Sequence, residues 1–185
     1  MHALVLIGSR NHDGRTAKAA RALITGITQG GGTAEPVYLL EANINMCIQR
    51  GQDGFGQCLE KGVCALDDGF GPLVEKVRAA DLVVFATPVY WGDLSEILRA
   101  FIDRLRRICL HEDGKKGIKG KRAIGICVAG GGGGGSTSSA NSLSRVLGHC
   151  DFDILDVIPA RKQNLAMKLE VLQVTGRRLA SGAIA

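Results

Sequence analysis

Ala80-Asp81-Leu82-Val83-Val84-Phe85-Ala86-Thr87-Pro88-Val89-Tyr90-Trp91-Gly92-Asp93-Leu94-Ser95-Glu96-Ile97-Leu98-Arg99-Ala100-Phe101-Ile102-Asp103-Arg104 carries the signals from which the rest of the chain can be placed. Leu82 to Ala86 is a short apolar run rich in β-formers. It is too short for a helix, so it predicts a strand buried on both faces. Thr87-Pro88 is expected to stop that strand, because proline donates nothing to a sheet ladder. A helix should follow, with Asp93 placed to cap it and Glu96 at the capping-box position. Leu94, Ile97, Leu98, Phe101, Ile102 and Leu105 then recur on one helical face. Between strand and helix lies Pro88-Val89-Tyr90-Trp91-Gly92, at the carboxyl edge where open α/β sheets bind ligands. The chain has one tryptophan and two tyrosines, and Trp91 and Tyr90 stand side by side here. Adjacent aromatics at that edge suit a flat partner such as a flavin ring; packing a loop or a subunit contact is the plainer use.

Upstream, Ala3 to Ile7 is a second buried-strand candidate. It runs into the polar loop Gly8-Ser9-Arg10-Asn11-His12-Asp13-Gly14-Arg15-Thr16, and a helix with Ala20, Leu23, Ile24 and Ile27 on one face follows. A strand, a small polar loop and a helix start make a phosphate site, since backbone N–H groups and the helix dipole both favour an anion there. Ser9 and Thr16 offer hydroxyls, and Arg10 and Arg15 offer charge. The loop is not a P-loop: five residues, not four, separate Gly8 from Gly14, and Arg15 stands where lysine is required. It also lacks the spacing of the dinucleotide fingerprint. Gly30-Gly31-Gly32 should end the helix, and Glu35 to Leu40 reads as a third strand.

The segment 41–69 is an irregular excursion containing Cys47, Cys58 and Cys64. Gly71-Pro72 should open a short helix with Leu73, Val74 and Val77 inward. After the quoted stretch, His111 to Gly117 with Lys119, Lys121 and Arg122 reads as a solvated charged loop. Ala123 to Ala129 is a fourth buried strand, with Cys127 as a small core residue. Six glycines follow, Gly130 to Gly135, then Ser136-Thr137-Ser138-Ser139. At a strand's carboxyl end, before a helix with Leu143, Val146 and Leu147, such a run lets backbone approach a flat ligand. Asp151 to Ile158 reads as the last strand. Leu165, Leu169, Leu172 and Leu179 predict a terminal helix that closes the sheet or meets another subunit.

Five strands alternating with helices imply one α/β domain over 1–185, a doubly wound parallel sheet with helices on both faces and a helical tail over 160–185. Hydrophobic and charged contents of 45% and 22% fit a soluble globular chain. No apolar run is long enough to span a membrane, and the cytoplasm is the expected compartment. Six cysteines there are thiols or metal ligands rather than disulfides. A net charge of +5 suits anionic ligands, but the basic residues are scattered and no nucleic-acid motif is present.

These pieces resemble the flavodoxin-like NAD(P)H-dependent FMN reductases, specifically their iron–sulfur flavoprotein branch. The resemblance rests on Gly8-Ser9-Arg10 with Gly14 and Thr16, on Asp81 to Arg104, and on Cys47…Cys58…Gly62-Val63-Cys64 followed by Asp67-Asp68. It extends to about Gly135. It implies FMN, with its phosphate on Ser9, Arg10, Gly14 and Thr16. The isoalloxazine would lie against Pro88, Val89, Tyr90, Trp91 and Gly92, with Ala129, Gly130 and Gly131 opposite. It also implies NADPH or NADH as reductant, a quinone, free flavin or other small acceptor, and a homodimer or homotetramer. Neither an acid–base catalyst nor a nucleophile is expected, and His12, His111 and His149 are ordinary loop histidines. Two other readings stand beside this one: an electron-transfer flavoprotein reduced by a partner such as ferredoxin, and a redox-responsive module whose cysteines sense oxidants. The chain departs from the branch in its cysteines. Arg50 stands where the second cysteine belongs, and an insertion with Phe55 precedes Cys58. A [4Fe–4S] cluster takes four thiolates, so no cluster and no other metal is assigned.

Overall fold

A computed structural model describes residues 1–49, 54 and 56–183. In chain order the elements are β1 (His2–Ile7), α1 (Arg15–Gln29), β2 (Thr33–Tyr38), α2 (Gln57–Lys61), α3 (Phe70–Ala79), β3 (Leu82–Tyr90), β4 (Asp93–Leu94), α4 (Glu96–Ile108), α5 (Glu112–Lys115), β5 (Arg122–Ala129), α6 (Ser136–His149), β6 (Asp153–Arg161) and α7 (Leu165–Ala180). Five strands form a parallel sheet in the order β2-β1-β3-β5-β6. That order reverses direction between β1 and β3, the switch point at which doubly wound sheets open a crevice.

The central strands β1, β3 and β5 read as largely apolar runs because both their faces are covered. Ala3, Val5, Ile7, Val84 and Ala86 face α1 and α7, where Leu23, Ile27, Leu172 and Leu179 complete one core. Leu4, Leu6, Val83 and Phe85 face α3, α4 and α6, where Phe70, Phe101, Leu105 and Leu143 complete the other. Burying a side chain such as Leu23 contributes about 1.5–3 kcal/mol.

α7 crosses α1 with glycine at the contact. A methyl on Gly26 would overlap the carbonyl oxygen of Gln173, and one on Gly176 would overlap that of Leu23. The terminal helix therefore closes the α1 face of the sheet. Among the described residues, no helix is long and apolar enough to cross a membrane.

Several boundaries differ from the sequence expectation. Thr87-Pro88 does not stop β3, which continues to Tyr90 with Pro88 in register with Val128. The reason is that β1 ends at Ile7, so beyond Ala86 one side of β3 is an edge, where proline is tolerated. That edge is taken by β4, a two-residue strand folded back antiparallel so that Val89 pairs with Leu94 and Tyr90 with Asp93. Asp93 is consequently in a strand and caps nothing: its carboxylate accepts from the Leu94 N–H at 2.8 Å and from Arg99. Ser95 precedes α4 instead, and Glu96 makes no capping box. β2 ends at Tyr38, where Leu39 begins a single 3₁₀ turn. β6 runs Asp153–Arg161, later and longer than expected.

Candidate functional site

Gly8 turns the chain off β1, its N–H donating to the Ala86 carbonyl at 2.8 Å. A Cβ there would sit 2.6 Å from the Ser95 Oγ, so only glycine lets this loop pass the start of α4. Within the loop, the Asn11 N–H donates to Ser9 Oγ at 3.3 Å and the Asp13 N–H to Asn11 Oδ1 at 2.8 Å. His12 stacks on Tyr38 with centroids 3.7 Å apart and meets Glu41 at 2.7 Å, which pins the loop to β2. Gly14 then precedes α1. No side chain caps α1, and its first turn holds no acid. Its leading N–H groups and its dipole are left for an external anion. Ser9 and Thr16 are buried beside them.

The second wall is the end of β3. Thr87 is fully buried; its Oγ1 accepts from the Ser95 N–H at 3.0 Å, tying strand end to helix start. Pro88 and Val89 are half-buried, Tyr90 is exposed and Trp91 fully so. Trp91 has φ 52°, a left-handed conformation that costs a bulky side chain about 1 kcal/mol or more. Such strain clusters where a side chain must be presented in a fixed direction. The third wall is the glycine run after β5. Gly135, at φ 81°, passes so near Gly92 that a methyl would overlap the Gly92 Cα. A Cβ on Gly130 would lie 3.6 Å from Arg15 Nη1, so the Arg15 guanidinium reaches this third wall from α1.

The three walls enclose one cavity of about 490 Å³, lined by Ser9, Arg15, Thr16, Pro88, Val89, Tyr90, Trp91, Gly92, Val128, Gly130, Gly131 and Gly134. Its volume suits a cofactor-sized ligand. Ten of these twelve were anticipated from the sequence. Arg10, Gly14 and Ala129 do not line it. Arg10 is drawn away by Glu96, its Nη2 donating at 2.6 Å, and that hydrogen bond holds the Glu96 carboxyl below its usual range. Val128 and Gly134 were not foreseen. Val128 looked like plain core, and six identical glycines give no sign of which one meets a ligand.

The residues fit a flavin mononucleotide. An uncapped helix start with two buried hydroxyls has the chemistry to hold a phosphate, and a slot between an indole and bare glycine backbone has room for a planar ring. The donor set for a cluster is different. Cys47, Cys58 and Cys64 line a cavity of about 20 Å³. Cys64 Sγ accepts from Arg104 Nη2 at 3.2 Å and Cys47 Sγ from the Gln49 N–H at 3.4 Å. Burial pushes the Cys58 thiol up. Among the described residues, no group of three His, Cys, Asp or Glu is arranged to hold a metal. Arg50 and Phe55 lie outside the described residues. Three thiols do not match the four-thiolate requirement.

The family model described as NADPH-dependent FMN reductase matches residues 1–166. The chain is 28% identical over 125 residues to an iron-sulfur flavoprotein of Methanocaldococcus jannaschii, covering 68% of this chain and 62% of that protein. It is 31% identical over 105 residues to an iron-sulfur flavoprotein of Archaeoglobus fulgidus, covering 57% of this chain and 46% of that one. The matched part thus spans under two thirds of either relative. Among solved structures, the NAD(P)H:quinone oxidoreductase from Methanothermobacter marburgensis superposes with a TM-score of 0.72 at 20% identity, over 97% of this chain and 96% of that one. The fold is shared with that enzyme.

Proposed function

We propose an activity for a chain that belongs to the NADPH-dependent FMN reductase family: it holds FMN, takes reducing equivalents from NAD(P)H and passes them to a small acceptor such as a quinone or a free flavin. The observation that carries this reading is the single cavity in which a phosphate-type loop, an indole and a glycine wall meet. Bound FMN would supply the hydride and electron chemistry; the protein binds, orients and tunes it. Ser9, Thr16 and the start of α1 receive the phosphate, and Arg15 adds a compensating charge. Pro88 and Val89 form an apolar floor. Trp91 covers the ring's edge and excludes water. The glycine backbone opposite presents N–H groups without a Cβ in the way. No side chain of the site needs to act as acid, base or nucleophile, which agrees with a wall built of glycine, proline and aromatic residues.

A quinone or free flavin is a flat acceptor, and the slot beside Trp91 admits one. The same fold serves a quinone oxidoreductase in Methanothermobacter marburgensis. A protein donor such as ferredoxin is the second reading, favoured by the cysteine-lined cavity between β2 and α3. The proposal includes a homodimer or homotetramer, because Trp91 and the stripe Met167, Val171 and Val174 on α7 are exposed in the single chain. Sedimentation velocity measures that assembly. Anaerobic mixing of the FMN-loaded protein with NADPH, and separately with NADH, tests the activity. Loss of the oxidised flavin bands with either nucleotide is expected. A flavin that stays oxidised with both, yet is reduced rapidly by reduced ferredoxin, would transfer the assignment to the second reading.

A further inference from the structure

A second cavity, of about 530 Å³, lies on the other side of the glycine wall. Gly134 lines both cavities, so a single turn of backbone separates them. The second is lined by Ser136, Thr137 and Ser138 at the start of α6, and by Arg161 and Lys168. α6 is a fourteen-residue helix whose Ncap is Gly135; no side chain caps it and its first turn holds no acid. An uncapped helix start alone would not define a site. Here Ser136 is 94% buried, lines the cavity, and has no hydrogen-bond partner for its hydroxyl among the described residues. That hydroxyl opens on the cavity and is not sealed from water, so a ligand oxygen can take the place of a water there.

The charges agree. Arg161 and Lys168, like Lys18, Arg122 and Arg145, meet no carboxylate among the described residues, and these two line the cavity at the helix start. The Arg161 stem runs beneath Gly133, where a Cβ would lie 2.8 Å from its Cδ, so the side chain is held against the wall. An uncapped dipole, an open buried hydroxyl and two uncompensated cations are the chemistry of a phosphate site. It is distinct from the Ser9–Thr16 loop, which is taken by the FMN phosphate.

We propose that this cavity is the anion subsite for the phosphate-bearing adenosine half of the pyridine nucleotide. Ser136 and the leading N–H groups of α6 hydrogen-bond the phosphate, Arg161 and Lys168 neutralise it, and the nicotinamide reaches over Gly134 into the flavin cavity. The inference rests on the NAD(P)H-dependent reading above and adds to it the residues that recognise the donor.

The test uses 2′,5′-ADP as probe and adenosine as its uncharged control, titrated into the FMN-loaded protein by calorimetry. The probe binds the wild type and adenosine does not. Arg161→Ala with Lys168→Ala weakens the probe at least about tenfold, the loss expected from two charge-assisted contacts, while Arg161→Lys retains most of the affinity. Ser136→Ala weakens it several-fold. FMN affinity of the double variant, read by flavin fluorescence, stays at the wild-type value, because neither residue lines the flavin cavity. Equal probe affinity in wild type and double variant, no binding to the wild type, or equal binding of adenosine would each overturn the subsite. Failure of NADPH to reduce the flavin of the wild type would instead sink the reductase reading, so the two failures are told apart.

Discussion

Arg104 and Asp68 face each other through two parallel contacts of 2.8 Å, guanidinium to carboxylate, with side chains 1% and 3% exposed. The same guanidinium lies 4.2 Å above the Phe70 ring and donates to the Asn45 carbonyl and to Cys64 Sγ. One side chain of α4 thus ties Asn45, near the start of the cysteine excursion, to Cys64 and Asp68 near its end. Asp68→Asn leaves a buried cation without its partner and should cost about 3–5 kcal/mol. Urea unfolding at neutral pH measures it, and a loss under 1 kcal/mol would contradict the anchoring role.

The same pair predicts an acid dependence. Burial pushes the Asp68 carboxyl up, but hydrogen bonds from Arg104, from the Asn45 and Phe70 N–H groups and from the Asn45 side chain outweigh it and hold the group well below the carboxylate range. A depressed acid contributes stability above its unfolded pKa and loses it as pH falls through the folded value. The stability gap between wild type and Asp68→Asn should therefore be full above about pH 5 and shrink below about pH 4. Urea midpoints of both proteins across that range would show convergence; parallel curves would refute the assignment.

Trp91 separates binding from stability. Trp91→Gly relieves a left-handed conformation and removes a fully exposed side chain, so the apo-protein should be as stable or up to about 1 kcal/mol more stable. FMN binding should weaken five- to tenfold, about 1–1.4 kcal/mol, from the lost aromatic face. Thermal unfolding and flavin fluorescence read the two effects. Weaker folding with unchanged FMN affinity would make Trp91 a structural residue.

The glycine wall is not uniform. Gly135→Ala forces a left-handed backbone on alanine and a methyl onto Gly92, so it should destabilise by about 1–3 kcal/mol and impair FMN binding. Gly132→Ala meets nothing within 4 Å at an ordinary φ and should change neither. Equal effects at the two positions, measured by calorimetric melting and flavin titration, would mean that the loop does not hold this shape.

Thr87→Val tests the link between β3 and α4. It keeps the shape of a fully buried residue but deprives the Ser95 N–H of its acceptor. A loss of about 1–3 kcal/mol is expected, read as a lower urea midpoint with unchanged slope.

The doubly wound sheet was legible because its central strands are buried on both faces, which leaves runs such as Leu82 to Ala86 uniformly apolar. The strand, polar loop and helix start around Ser9 and Thr16 were legible because the three are contiguous. What escaped the sequence depends on residues far apart in it. Arg10 looked free until Glu96, eighty-six positions away, claimed it. Pro88 looked like a stop because the early end of β1, which turns its surroundings into an edge, is a fact about a neighbouring strand. Asp93 had the chemistry of a cap but lost the position to a two-residue β4 that no periodicity could announce. Ser136, Arg161 and Lys168 meet only because β6 is the neighbour of β5.

The glycine crossing of α1 and α7 has a mechanical consequence. Where two backbones touch with no side chain between them, neither rod can roll or slide without collision, so the pair moves as a single beam. One end of that beam is the cradle headed by Ser9 and Thr16, and the other is a segment lying mostly beyond residue 166, where the family likeness stops. If the cradle takes the nucleotide's phosphate as proposed, its grip is underwritten by a helix mostly outside the matched family region, and a methyl added at Gly26 or Gly176 should be felt at the cradle although Gly26 lies toward the opposite end of α1.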